Sequence, residues 1–345
     1  MTSKAFGLAQ LGNAYSDGAL SNRNKIINGA MVIDQRNGGS AVTINNASET
    51  YTLDRFSFYG QETDGVFSVA RSTIAPQGFV NSALITITTA DASIGASQFY
   101  GMVHKIEGYN IFDLGWGTAD AKTVTLSFWV RSSVTGTFGG AVRNNAVNRS
   151  YPFSYTISSV DTWEQKSIII AGDTTGTWAT DSSTGFVISW SIGDGSSRLS
   201  TAGAWAAGNF AGATGQTNLI STNGATFYIT GVQLEAGDTA TPFEHRSFGD
   251  ELARCERYFQ VVEGGYQGSA VSGVNNAGKI SFRTIMRAGA TVSWNVNLRG
   301  AAFPVTAPSF YMTTDAAKYA HPFKTANGTT QDAEFWDRYY LSAEL

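Results

Sequence analysis

Few residues in this 345-residue chain have types and spacings that could do chemistry. The three histidines, His104, His245 and His321, stand far apart with no ligand spacing, so a metal cluster is not indicated. There is no Gly-x-Ser-x-Gly elbow and no phosphate loop. The single cysteine, Cys255, falls in a helical segment and reads as a small buried hydrophobe rather than a nucleophile. Glycosidic cleavage needs two carboxylates facing each other across a cleft. The pairs available have plainer readings, Asp250 with Glu251 as a helix start and Asp332 with Glu334 as a solvated loop. Asp173, Asp181 and Asp194 lie in oxygen-rich turns that would suit a structural Ca²⁺, but the dense Asp/Asn spacing of a dedicated loop is missing. No catalytic residue, metal or cofactor is therefore assigned, and the chain is not expected to be an enzyme.

Aromatic side chains are the remaining signal. Trp178 and Trp205 sit in polar, glycine-rich contexts, Gly176 to Asp181 and Ala202 to Asn209. An exposed indole there would offer a flat apolar face on which a sugar ring can stack. The alternative is that both plug loops onto the core or pack against a neighbouring subunit. Trp190 shares a strand face with Ile188 and Ile192 and reads as core. Phe335, Trp336, Tyr339 and Tyr340 form a C-terminal aromatic run, the candidate patch for a symmetric interface between copies.

The elements that must position these residues are strands. Hydrophobic residues make up 42% of the chain, charged residues only 14%, and there are 38 glycines, a composition of short strands joined by tight turns. Ala83 to Thr88, Thr123 to Arg131 and Gly185 to Ile192 alternate with period two. In the second of these, Val124, Leu126, Phe128 and Val130 share one face and Thr125, Ser127, Trp129 and Arg131 the other. One apolar and one mixed face point to antiparallel sheets packed in pairs. Phe248 to about Glu256 is the best helix, with Asp250 and Glu251 in its first turn and Arg254 towards its end. Further strands follow at Lys279 to Arg283, Ala290 to Asn297, Ser309 to Met312 and Glu334 to Leu341.

The net charge is −4 and no Lys/Arg cluster is present, which argues against nucleic-acid binding. No apolar run approaches the roughly 20 residues that span a bilayer, so membrane insertion is not expected. The start of the chain lacks the apolar stretch of a signal peptide, and one cysteine gives no intrachain disulfide. Three parts are expected: an extended arm over residues 1–24, a sandwich over 25–247, and a connector helix with a smaller β-domain over 248–345.

Several segments, in order, resemble a recurrent module of tailed-phage tail-fibre and minor structural proteins. They are Asn24 to Arg36, Tyr51 to Phe56, Leu126 to Ser132, Ala207 to Phe243 and Phe248 to Phe259, with Phe282 to Ala288 similar to the downstream domain. Members of that module often have Trp where this chain has Phe56. The resemblance implies a jelly-roll sandwich similar to carbohydrate-binding modules, followed by a smaller β-domain, in a homotrimeric virion protein. It implies no universal ligand residue. It would make the arm a docking peptide for a tail or head component. A virion protein, made in the host cytoplasm and released by lysis, needs neither signal nor disulfide. The leading expectation is a receptor-binding fibre that contacts host surface glycan. The alternative is a structural virion component, a head decoration or tail connector, with no ligand.

Overall fold

The computed structural model describes residues 22–61, 64–270, 275–277, 280–295, 309–312, 319–325 and 330–345. The expected docking arm, residues 1–24, lies outside the described residues except for Asn22, Arg23 and Asn24. The chain divides into two compact units, one running to Ser247 and including Leu345, the other Phe248–Glu344.

The fold is all-β, a jelly-roll sandwich followed by a connector helix and further strands. In the first unit one sheet has six antiparallel strands. Their order is β1 (Val42–Ile44), β4 (Val66–Ser72), β5 (Ser82–Thr89), β15 (Thr226–Ala236), β7 (Val124–Ser132) and β10 (Glu164–Ile170). The other has seven. Their order is β13 (Ala206–Ala207), β9 (Arg149–Ile157), β8 (Gly136–Arg143), β11 (Thr184–Asp194), β6 (Phe99–Glu107), β3 (Phe56–Tyr59) and β2 (Thr50–Tyr51). A short parallel pair, β12 (Leu199–Ser200) with β14 (Gly212–Ala213), stands apart from both.

The alternation read from the sequence becomes the core. Val124, Leu126, Phe128 and Val130 of β7 are fully buried, as are Phe186, Ile188, Trp190 and Ile192 of β11. The Phe128 and Trp190 rings meet edge to face at 5.9 Å. Phe56, where the resembling module often has Trp, packs its ring 4.7 Å from His104. Burial holds the His104 imidazole well below its ordinary pKa, so it stays neutral.

The outward face of the six-stranded sheet is also covered, which simple alternation does not anticipate. Thr125 and Ser127 are buried, as are Gln233 and Glu235 of β15. The chain leaving β15 folds back over them. The Thr125 hydroxyl donates to the Gly237 carbonyl at 2.8 Å, and Glu235 accepts from the Thr241 amide at 2.9 Å and its hydroxyl at 2.6 Å. The start of the domain closes against the same strand. The Lys25 amide donates to the Leu234 carbonyl at 2.8 Å, and the Val232 amide to the Gly29 carbonyl at 3.0 Å. Asn24 is 4% exposed; its Oδ1 accepts from the Leu234 and Ile26 amides and its Nδ2 donates to the Val232 carbonyl. Thus the Asn24-to-Arg36 and Ala207-to-Phe243 segments that carry the resemblance are joined by structural hydrogen bonds.

In the second unit, helix α1 (Phe248–Glu256) buries Cys255 completely. β16 (Phe259–Ala270) pairs with β22 (Thr330–Ser342), which also pairs with β19 (Thr291–Asn295). β21 (Tyr319–Thr325) pairs with β17 (Asn275–Ala277), β18 (Ile280–Ser281) and β20 (Ser309–Met312). A core of Val262, Ile280, Met286, Tyr339 and Leu341 lies beneath. The Arg283 guanidinium pairs with the buried Glu256 at 3.1 Å, and Arg287 donates from its amide to the Arg257 carbonyl at 2.8 Å. These contacts bind the Phe282-to-Ala288 motif to the connector motif.

A Cβ on Gly29 would collide with the Val232 carbonyl oxygen. Gly29→Ala is therefore expected to lower stability by about 2 kcal/mol through backbone displacement. Asn24→Ala, which strands buried amides, should cost about 2 kcal/mol as well. Urea unfolding midpoints of the two variants check both values.

Candidate functional site

A groove of about 480 Å³ opens on the outward face of the seven-stranded sheet. On β6, Tyr100, Met102 and Ile106 point into the sandwich core, so Phe99, Val103 and Lys105 point out. The same parity places Tyr59 of β3, Val187 of β11 and Arg143 of β8 outward, and all of these line the groove. Val187 pairs in register with both Lys105 and Arg143. Two cations therefore flank one apolar side chain in a single cross-strand row, their Cα atoms about 10 Å apart from two strand spacings.

The groove's extent is set by small residues. A loop carrying β14 lies across the β8–β11 half of the face. The Ser189 hydroxyl donates to the Ala211 carbonyl at 3.2 Å, and Gln216 Nε2 donates to Ser191 Oγ at 2.6 Å. Any side chain at Gly139 would strike the Gln216 amide. The loop covers that half and leaves the β3–β6 half open. There, Gly101 lets the Phe99 ring fold back onto the sheet, since a Cβ at 101 would stand 2.7 Å from the Phe99 ring tip. Phe99 then meets Tyr59 at 5.9 Å with the rings inclined by 51°. The two rings are the aromatic wall of the groove.

Polar groups converge beside this wall, the Arg143 guanidinium lying over the Phe99 ring at 5.9 Å. Arg143 is 8% exposed; its Nη1 donates to Asn209 Oδ1 at 2.8 Å and its Nε has no hydrogen-bond partner among the described residues. Burial, against the pull of Asp194 and with Arg198 close by, lowers the Arg143 guanidinium to about 10. Arg198 donates to the Ser97 carbonyl at 2.9 Å. Lys105 pairs with Glu49 at 2.6 Å, and the Ser57 hydroxyl donates to the same carboxylate at 2.7 Å. Burial, and then the Glu49 carboxylate, raise the Tyr59 phenol, so it is protonated and can donate. At the rim, Val147 holds φ +47°, a left-handed conformation costly for a β-branched side chain. Asn144, fully buried, imposes it: its carbonyl accepts from the Val147 amide at 3.1 Å and its Oδ1 from the Asn148 amide at 3.1 Å.

The residues singled out from the sequence lie elsewhere. Trp178 is 8% exposed, not an open stacking face. Its indole N–H donates to the Thr175 carbonyl at 3.1 Å, and its ring packs edge to face on Trp116 at 4.8 Å. Trp205 is half-buried, 5.3 Å from both Trp116 and Tyr151, with the Arg149 guanidinium over its ring. The loops around these tryptophans are polar, but their rings turn inward onto the end of the sandwich. The expected interface patch also changes. Tyr339 is fully buried in the second unit's core, and Tyr340 stacks on Phe259 at 6.3 Å. The side chains of Phe335 and Trp336 fall outside the described residues.

The acidic candidates for an ion are likewise occupied. Asp173 is held by a two-pronged Arg149 pair at 2.7 and 2.8 Å and by Thr175. Burial would raise the Asp173 carboxyl, but Arg149 and Thr175 outweigh it and hold it low. Asp181 caps its own turn through the Ser183 amide and hydroxyl. Asp194 is 3% exposed, and burial raises it to about 7 against the pull of Gln216 and two arginines. Among the described residues no cluster of three metal-ligating side chains occurs.

The groove was missed because its residues come from four strands and several loops far apart in sequence. The available signal is local: Gly101 two residues after Phe99, and a run of Gly, Ala and Ser on the outward faces of β8 and β11.

Fold and groove together define a β-sandwich protein with a recessed, cationic, aromatic-walled site on one sheet. No family model matches the chain, and no curated protein matches it by sequence. Solved structures with a similar fold include a protein of Bacteroides thetaiotaomicron VPI-5482 provisionally assigned to sugar binding. It is 12% identical, with a TM-score of 0.36, over 62% of this chain and 100% of the other. The enzymatically active domain of bacteriophage CBA120 tailspike protein 4 is 12% identical, with a TM-score of 0.34, over 62% of this chain but 22% of its own. A family 11 carbohydrate-binding module from Clostridium thermocellum, in complex with a mixed-linked tetrasaccharide, is 13% identical, with a TM-score of 0.28. The match covers 59% of this chain and 98% of the module.

Two carboxylates give opposite pH signatures. The raised Asp194 contributes stability that is full below the ordinary carboxylate range and is lost as pH rises through about 7. Asp194→Asn should gain on the parent protein between pH 5 and pH 8, to an extent of about 1 kcal/mol or more. The depressed Asp173 contributes stability above the ordinary range that is lost as pH falls through its folded value. Arg149→Met, which leaves Asp173 buried and unpaired, should cost about 3 kcal/mol at neutral pH and much less in acid. Urea midpoints across pH for both variants test the signs.

Proposed function

We propose that the sandwich is a glycan-binding module that takes a saccharide in the groove of the seven-stranded sheet. The observation that carries this reading is the pairing of an aromatic wall, Tyr59 and Phe99, with convergent donors from Arg143, Arg198 and Asn209. Sugar rings have apolar faces and hydroxyl edges, so a site with one apolar wall and one polar wall fits them. Both walls stand mainly on strands and need little reordering on binding. Binding without turnover is part of the proposal. Among the described residues no carboxylate lines the groove, so the acid and base of glycosidic cleavage have no candidates there.

The wider role is a phage virion fibre that contacts host surface glycan. It rests on the ordered segments Asn24 to Arg36, Ala207 to Phe243 and Phe248 to Phe259, which resemble tail-fibre and minor structural proteins. Assembly as a homotrimer, anchoring through residues 1–24 and release by host lysis belong to the same proposal. A glycan array probed with the purified full chain should identify bound saccharides. Tyr59→Ala and Phe99→Ala should each weaken that binding about tenfold or more while leaving the fold intact. Array binding unchanged in both variants would remove the groove from the proposal.

A further inference from the structure

The groove's charge is one-sided. Lys105, Arg143 and Arg198 line it, and among the described residues no aspartate or glutamate does. Lys105 is neutralised by Glu49. The two guanidiniums are not matched in this way. Arg143 forms its side-chain hydrogen bond with a neutral amide, and Arg198 with a backbone carbonyl. Among the described residues neither makes an ion pair within salt-bridge distance. The nearest counter-charge is Asp194, paired in register with Phe99 on the outward face and covered by Gln216; its attraction for Arg143 exceeds the repulsion from Arg198. Burial raises the Asp194 carboxyl to about 7, so near neutral pH it is only partly ionised.

Burying an unpaired guanidinium is costly, and a fold normally supplies a carboxylate to match it. Here a cation nine-tenths buried borders an open cavity; Asp194 offsets part of its desolvation, and a second guanidinium works against that. An anion arriving from solvent would relieve both the desolvation and the mutual repulsion. Planar guanidinium donors suit the oxygens of carboxylate and phosphate groups. From Arg143, Arg198 and their only partly matched charge beside the Tyr59–Phe99 wall, we infer that the groove selects acidic saccharides, whose sugar rings carry carboxylate or phosphate groups. This rests on the glycan-binding reading of the same groove and names its ligand class.

The test is an array printed with uronate-, sialate- and phosphate-bearing oligosaccharides, each beside its neutral counterpart, such as tetragalacturonate beside its methyl ester. Affinities of the hits are then measured in solution. Acidic members should bind about tenfold or more tighter than their neutral partners, and the carboxylate and phosphate arms show which group is preferred. Arg143→Gln should erase most of that difference, weakening acidic members about tenfold more than their neutral counterparts. Arg198→Gln, at a less buried position, should erase part of it and serves if the Arg143 variant unfolds. Equal binding of acidic and neutral members, lost in Tyr59→Ala, would overturn the acidic preference and keep the glycan site. Binding to no member of the array would overturn both.

Discussion

The sandwich depends on one strand changing partners. β15 pairs with β5 only from Thr226 to Ile229, while its other edge follows β7 along the strand with a bulge between Thr230 and Gln233. Gly231 makes the change feasible. It adopts φ +62°, and a Cβ there would stand 2.7 Å from the Phe79 ring. Beyond it, the place of β5 is taken by residues 24–29, through the Lys25–Leu234 and Gly29–Val232 backbone bonds. The beginning and end of the sandwich thus close on each other beside its central strand. Without that closure, the second half of β15 would leave a row of buried amides and carbonyls unpaired.

The groove inherits its rigidity from this closure. The inward faces of β3, β6, β8 and β11 are locked into the core that β7 and β15 complete. With inward side chains fixed, strand parity fixes the outward ones, and the Lys105–Val187–Arg143 row cannot slip without turning core residues to solvent. The loop over β8 and β11 adds a second constraint. It can lie flat only because Gly139, Ala141, Ser189 and Ser191 are small, and its own polar groups find Ser189 and Ser191 beneath it. Where that loop ends, the groove begins.

Strand positions were legible from alternation because burial and pleat share a period of two residues. Val124 to Val130 and Phe186 to Ile192 show it cleanly. Helix α1 was legible from its charge placement. Thr125, Gln233 and Glu235 were not legible as buried residues. They are covered by a returning segment, and hydrogen bonding rather than apolarity offsets their burial. Trp178 stays open between stacking face and loop plug for a related reason: glycines and threonines around it describe the backbone of its loop, not the direction of its ring, which packs inward. The groove was least legible. Tyr59 and Phe99 are forty residues apart in sequence, Arg143 and Asn209 sixty-six apart, and only the sheet order brings them together.

The electrostatics of the groove run against those of the chain. The whole chain carries −4, which at long range repels an acidic saccharide rather than steering it in. That repulsion is screened beyond a Debye length, about 8 Å at physiological ionic strength. The proposed attraction would come from Arg143, buried in a medium of low effective dielectric and screened far less by salt. The two effects therefore separate with distance. Added salt weakens the repulsion that slows encounter more than the contact that holds the ligand. An acidic ligand bound through Arg143 would thus keep its affinity as ionic strength rises, unlike one gathered by a diffuse basic surface. With a buried cation in a sparsely charged, net-acidic sandwich, selectivity of the proposed kind would be a property of contact, set by the few groups that the loop and β3 leave uncovered.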